Sequence, residues 1–209
     1  MSPRSKISYD LIVIGSALFL MLLLTSIVTE GTPESDRMIL TFFHSFRTPS
    51  LDTFFKAVTW LGSVKILLPL YLALLGWIYH RRCGKRVFLA ASSFLLAFAT
   101  TSILKFFIAR IRPDFFPDRI VPLPADPSFP SGHTTQAFSF VLTLWLVFYV
   151  ARTPMKSGLL LLLLSLAALV GGSRIYLQVH FPSDVAAGLL VALFWTVLLH
   201  YFLTKGDIR

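Results

Sequence analysis

Lys105 and Arg112 stand seven residues apart, two turns of an α-helix, so one helix face would present both cations if the helix ran that far. Pro113 disfavours a helix through Arg112. Two cations on one side suit a phosphate, which arginine binds with two parallel N–H bonds; the plainer role is a pair of basic residues snorkelling from a helix end. Pro130-Ser131-Gly132-His133 directly precedes an apolar run and reads as a helix N-terminus. Free N–H groups and the helix dipole favour an anion there, and Gly132 lets its backbone come close. Ser131 as a simple N-cap is the structural alternative. Ser173-Arg174 is followed by His180 and Asp184. A carboxylate bonded to a histidine fixes its tautomer and makes its other nitrogen more basic, as a nucleophile or base requires. Pro182 lies between the two, so this pairing needs tertiary structure; otherwise Asp184 balances a helix dipole. Jointly these groups describe an anion site with a nucleophile and an acid. The residues alone leave open which histidine attacks and which gives the proton.

The elements that position them are helices in a membrane. Of 209 residues, 56% are hydrophobic and 14% charged, against roughly 25% charged in soluble domains. That excludes a disordered chain and argues against a soluble one. Cys83 is the one cysteine, so neither a disulfide framework nor a thiolate metal site is expected. No metal or other cofactor is expected either. A hydrocarbon core of about 30 Å takes about 20 apolar residues as helix. Segments 11–28, 60–79, 87–109, 134–150, 157–175 and 185–204 fit. The predicted fold is therefore all-α, a single polytopic domain over 1–209 with six transmembrane helices in one bundle. The first run lacks a small-residue cleavage pattern over Thr25–Thr32 and is expected to stay attached. Residues 30–59 alternate phenylalanines and charges in a way that predicts short interfacial helices on the outer side. The proline-rich stretch 113–130 predicts an ordered loop.

Charge sets the orientation. The termini with residues 80–86 and 151–156 carry ten of the 19 Lys/Arg but two of the 10 acids. The positive-inside rule puts that side in the cytoplasm, so both termini are cytoplasmic and the chain belongs to the cytoplasmic (inner) membrane. Almost all of the net charge of +9 then faces anionic lipids at the cytoplasmic face, and no nucleic-acid partner is needed. All the residues singled out above fall at outer helix ends. Ionisable groups at such depth are rare and usually functional. His44, His80 and His200 have no partner motif and read as polar edging. Phe106, Phe107, Phe115 and Phe116 either border a lipid chain or simply face lipid.

Lys105-x6-Arg112-Pro113, Pro130-Ser131-Gly132-His133 and Ser173-Arg174-x5-His180-x3-Asp184 resemble, in order and spacing, the three-part signature of the type 2 phosphatidic acid phosphatase (PAP2) superfamily. That superfamily includes membrane lipid phosphatases, undecaprenyl-diphosphate phosphatases and soluble vanadium haloperoxidases. The resemblance implies metal-independent hydrolysis of a membrane lipid phosphate or diphosphate. It implies His180 as the nucleophile forming a phosphohistidine, Asp184 orienting it, and His133 as acid and then base. It also implies that Lys105, Arg112, Ser131, Gly132 and Arg174 hold the phosphate. The substrates it suggests are an isoprenoid diphosphate, phosphatidylglycerol phosphate, phosphatidate or a lipid A phosphate. Six spans argue against a haloperoxidase. The alternative is a non-catalytic lipid-phosphate binding or transport protein of the same fold, although a transporter would place its charges nearer the bilayer middle.

Overall fold

The computed structural model describes residues 14–22, 25, 26, 29, 31–153 and 155–205, and all regular structure among them is helical. Residues 14–22 are helical; the rest of the expected first span, 11–28, lies mostly outside the described residues. Then follow α1 (Glu34–Ser45), α2 (Pro49–Thr59), a 3-10 turn (Trp60–Gly62), α3 (Val64–His80), α4 (Lys85–Ile108), α5 (Gly132–Val150), α6 (Ser157–Tyr176) and α7 (Pro182–Lys205). Among the described residues, five apolar helical stretches are long enough to cross a membrane: Pro49–His80, Val87–Ile108, Gly132–Val150, Ser157–Tyr176 and Pro182–Leu203.

Local sequence explains most of the boundaries. Thr48 caps α2, its hydroxyl accepting from the Leu51 N–H, with Pro49 at the first helical position. Ser63 caps α3 in the same way through the Lys65 N–H. Two of the boundaries that differ from expectation do so because the chemical motifs are themselves first turns. α5 begins at Gly132 rather than 134, and α7 at Pro182 rather than 185. Pro182 has no N–H to lose at the first helical position, so it starts a helix readily.

The long helices α4 to α7 are apolar nearly all round, so an amphipathic stripe does not choose their interior face. Small and hydroxyl residues do, as expected where lipid is as apolar as leucine. α5 is central and packs against α4, α6 and α7. Ala90 and Ala91 of α4 and Ala192 of α7 are fully buried, while Leu161, Phe106 and Phe107 point outward, the last two about three-quarters exposed. Ser93 and Thr143 pair across α4 and α5, their oxygens 2.6 Å apart. Tyr176 of α6 holds α2, stacking on Phe55 at 4.2 Å and donating to Asp52 at 2.8 Å.

Two glycines set the approach of backbones around the start of α5. A methyl group on Gly62 would stand 2.9 Å from the His133 carbonyl oxygen and 2.4 Å from Val170. One on Gly188 would stand 2.9 Å from the Ser131 carbonyl oxygen and 3.1 Å from the Thr135 nitrogen, whereas one on Gly172 meets nothing within 4 Å. Gly188→Ala is therefore expected to lower stability by about 1–3 kcal/mol through overpacking. Gly172→Ala, at an open helical position, should be neutral or stabilising. Thermal unfolding of the detergent-solubilised variants checks this, and equal effects would contradict it.

Candidate functional site

α4 ends at Ile108 because Ala109 takes a left-handed conformation (φ 47°), and its N–H bonds the Lys105 carbonyl. Lys105 and Arg112 are thus not two turns along one helix, as the seven-residue spacing suggested. The chain turns at Ala109, and Ser128 N–H donates to the Arg110 carbonyl at 2.8 Å, folding the proline-rich loop back over the helix ends. Arg112 then reaches the same place as Lys105 from the loop.

Six of the eight motif residues, Lys105, Arg112, Gly132, His133, Arg174 and His180, line one cavity of about 290 Å³ with Asp126. Asp184 and Ser131 stand behind the wall, both fully buried. Ser131 occupies the N-cap position of α5 without a side-chain cap bond. Its hydroxyl accepts instead from Thr134 Oγ1 at 2.9 Å. The first-turn N–H groups of α5 therefore have no serine cap competing with an anion.

His180 sits between two partners of opposite charge. Nδ1 lies 3.3 Å from Asp184 Oδ2, and Arg112 Nη1 donates to Nε2 at 3.0 Å. Arginine has only donors, so Nε2 presents its lone pair and Nδ1 carries the proton toward the carboxylate. Burial pushes His180 down to about 3, with Arg112 and Arg174 adding to it, against the opposing pull of Asp184. His180 is thus a neutral imidazole with its basic nitrogen at the cavity wall. Asp126 bridges the two cations opposite, 2.9 Å from Lys105 Nζ and 2.9 Å from Arg112 Nη2. Burial alone would raise the Asp126 carboxyl, but Lys105 and Arg112 outweigh it and hold it below the usual carboxylate range. Arg174 Nη1 donates to Thr59 at 2.6 Å.

The buried support of this wall was not legible in the motifs. Arg110 donates to Asp184 Oδ1 at 2.6 Å, to Ser183 Oγ at 2.7 Å and to Asp36 of α1 at 2.9 Å, with its guanidinium 4.0 Å over the Phe181 ring. Ser183 N–H donates to Asp36 at 2.8 Å. Ser128 donates to Asp184 Oδ2. Ser128 and Asp126 lie two and four residues before Pro130, and Arg110 is two residues before Arg112. That adjacency was the one available signal; Asp36 had none. His44, expected to be polar edging, bonds Asp118 at 3.1 Å and stacks on Phe116 at 3.8 Å, pinning the loop. Among the described residues no three His, Cys, Asp or Glu side chains cluster so as to hold a metal ion.

The PAP2 superfamily model matches residues 86–207, which contain every one of the eight motif residues. The chain belongs to the PAP2 superfamily. It is 32% identical over 198 residues to phosphatidylglycerophosphatase B of Bacillus subtilis, covering 90% of this chain and 91% of that protein. It is 32% identical over 120 residues to the undecaprenyl-diphosphatase of Sulfolobus acidocaldarius, covering 56% and 55% of the two chains. In three dimensions it is similar to the crystal structure of a transmembrane PAP2-type phosphatidylglycerolphosphate phosphatase from Bacillus subtilis. That match has a TM-score of 0.76 at 28% identity, over 95% of this chain and 98% of the other.

Two outcomes are expected of this site. The ring signals of His180, assigned in histidine-labelled protein by NMR, should not titrate near the ordinary 6.5 but stay neutral well below it. A folded value below the unfolded one means stability that is complete above pH 6.5 and lost as pH falls from 6.5 toward about 3, because the unfolded chain takes up a proton that the native site refuses. A His180 midpoint near 6.5 would contradict this. Asp36→Asn should lower stability by about 3–5 kcal/mol by leaving Arg110 short of a buried counter-charge; an unchanged unfolding temperature would contradict that.

Proposed function

We propose that this membrane-embedded lipid phosphatase acts by two-step phosphoryl transfer through His180. The observation that carries the reading is the placement of the His180 ring at the cavity wall, with Nε2 3.0 Å from Arg112 Nη1 and Nδ1 3.3 Å from Asp184 Oδ2. Nε2 attacks phosphorus and the phosphorus–oxygen bond to the lipid breaks. His133, in the same cavity, gives its proton to the departing oxygen. Water then attacks the phosphohistidine, His133 takes the water's proton, and phosphate leaves with His180 restored. Lys105, Arg112 and Arg174 stabilise the charge on the transferring group, with the Gly132 N–H at the start of α5. Ser131 supports that first turn from behind.

The charge distribution supports a cytoplasmic-membrane location with both termini inside and the site on the outer face, where the ends of α4 and α6 meet the starts of α5 and α7. On this reading, one domain spans 1–209 and the N-terminal helix is a sixth span. α1 and α2 lie at the outer interface, and the basic loops meet anionic lipids. The substrate is a membrane lipid phosphate: an isoprenoid diphosphate, phosphatidylglycerol phosphate, phosphatidate or a lipid A phosphate.

Phosphate release by the solubilised protein over those four lipids, with EDTA present, tests the mechanism. Release should survive EDTA and vanish in His180→Ala, and Arg174→Gln should lower kcat on the order of 10²–10³-fold. Release by His180→Ala at the normal rate would assign the nucleophile elsewhere. A folded protein that binds these lipids and releases no phosphate would be a lipid-phosphate binding or transport protein.

A further inference from the structure

A second cavity, of about 440 Å³, shares Ser63, Pro124, His133 and Arg174 with the first. His180, Lys105 and Arg112 line the first cavity and not the second. The second cavity thus lies on the acid's side of the site. In phosphoryl transfer the attacking and leaving atoms stand roughly in line across phosphorus. With His180 attacking and His133 protonating, whatever follows the scissile oxygen leads toward this second cavity.

Its charge is one-sided. Lys56 and Lys65 join Arg174 in its wall, and no Asp or Glu does. Lys56 closes α2 and Lys65 opens α3; the 3-10 turn Trp60–Gly62 between those helices lets both side chains line one cavity. Lys65 Nζ lies 5.7 Å from the centre of the Trp60 ring. Among the described residues neither lysine has a carboxylate within 4.0 Å, whereas Lys105, Arg110 and Arg112 each do. The buried Arg174 Nε also lacks a hydrogen-bond partner among them. A neutral alcohol leaving group offers these three cations nothing. A leaving group with a phosphate of its own offers them the charge-assisted partner they lack.

We infer that Lys56 and Lys65 form a subsite for a second, uncleaved phosphate, so that the preferred substrates are lipids with two phosphate groups in series. This rests on the phosphohistidine reading above. The terminal phosphorus passes to His180, the bond to its bridging oxygen breaks, and His133 protonates that oxygen. The departing lipid keeps its inner phosphate against Lys56 and Lys65. A lipid diphosphate and a glycerol-linked phosphodiester both carry such a group.

The test compares kcat/KM of the full chain and of a Lys56→Gln/Lys65→Gln variant on an isoprenoid diphosphate, phosphatidylglycerol phosphate and phosphatidate. The variant should lose at least about tenfold more on the two-phosphate lipids than on phosphatidate. Whichever of the first two falls further is the better match to the subsite. Lys56→Glu/Lys65→Glu should deepen the same difference, and both side chains are exposed, so unfolding temperatures should stay near that of the parent. Equal losses on all three lipids would reduce the lysines to general surface charge and overturn the subsite. No loss on any would overturn it as well. Wild-type protein inactive on every lipid would defeat the phosphatase reading itself, and the subsite with it.

Discussion

The buried carboxylate of Asp184 is the contact on which the rest of the site depends. One oxygen accepts from Arg110; the other accepts from Ser128 and from the Phe181 N–H and lies 3.3 Å from His180. The residue's own carbonyl accepts the Ser131 N–H at 3.0 Å. A single residue thereby ties together the loop after α4, the start of α5, the turn after α6 and the start of α7. Burying a carboxylate is costly unless its charge is matched and its lone pairs are filled. Here Arg110 matches the charge and the other donors fill the oxygens. The Phe181 bond is also the reach-back half of a capping box, so the carboxylate that lies against the histidine also starts α7.

Arg110 carries this order outward to Asp36, whose carboxylate holds both the guanidinium and the Ser183 N–H. α1 is thus fastened to the start of α7 by charge rather than by apolar packing. In lipid, where apolar contact between helices gives little preference over contact with lipid, such polar fastening and close backbone approach fix relative positions. Gly62 and Gly188 provide the approach, holding the first turn of α5 against the Trp60–Gly62 turn and α7. Packing and chemistry meet at that turn.

On the cavity side, the cations are preorganised. Arg112 is held by the carbonyls of Asp126 and Val179 at 2.9 and 2.6 Å and by the Asp126 carboxylate, and from there it bonds His180 Nε2. Such donors need little reorganisation when charge moves during reaction. Asp126 is the one carboxylate among the residues lining that wall, and it bridges Lys105 and Arg112.

The sequence by itself determined the helical class, the long apolar runs and the eight motif residues. Each is a local property: an apolar run long enough for a bilayer, or a cap, proline and charge within a few positions. It also showed, through Pro182, that the pairing of His180 with Asp184 needs more than one continuous helical turn; the structure then placed the helix start at Pro182 itself. Only the tertiary structure decided that Arg112 reaches the cavity through a turn at Ala109 and that Ser131 stands behind the wall. It likewise decided that Asp36, Arg110, Ser128 and Asp126 complete the site. Asp36 meets its partners across 74 and 147 positions of chain, with no periodicity linking them. A uniformly apolar helix carries little record of which face is inside. Which polar group meets which is settled by three-dimensional packing, where an unpaired buried charge is too costly to persist.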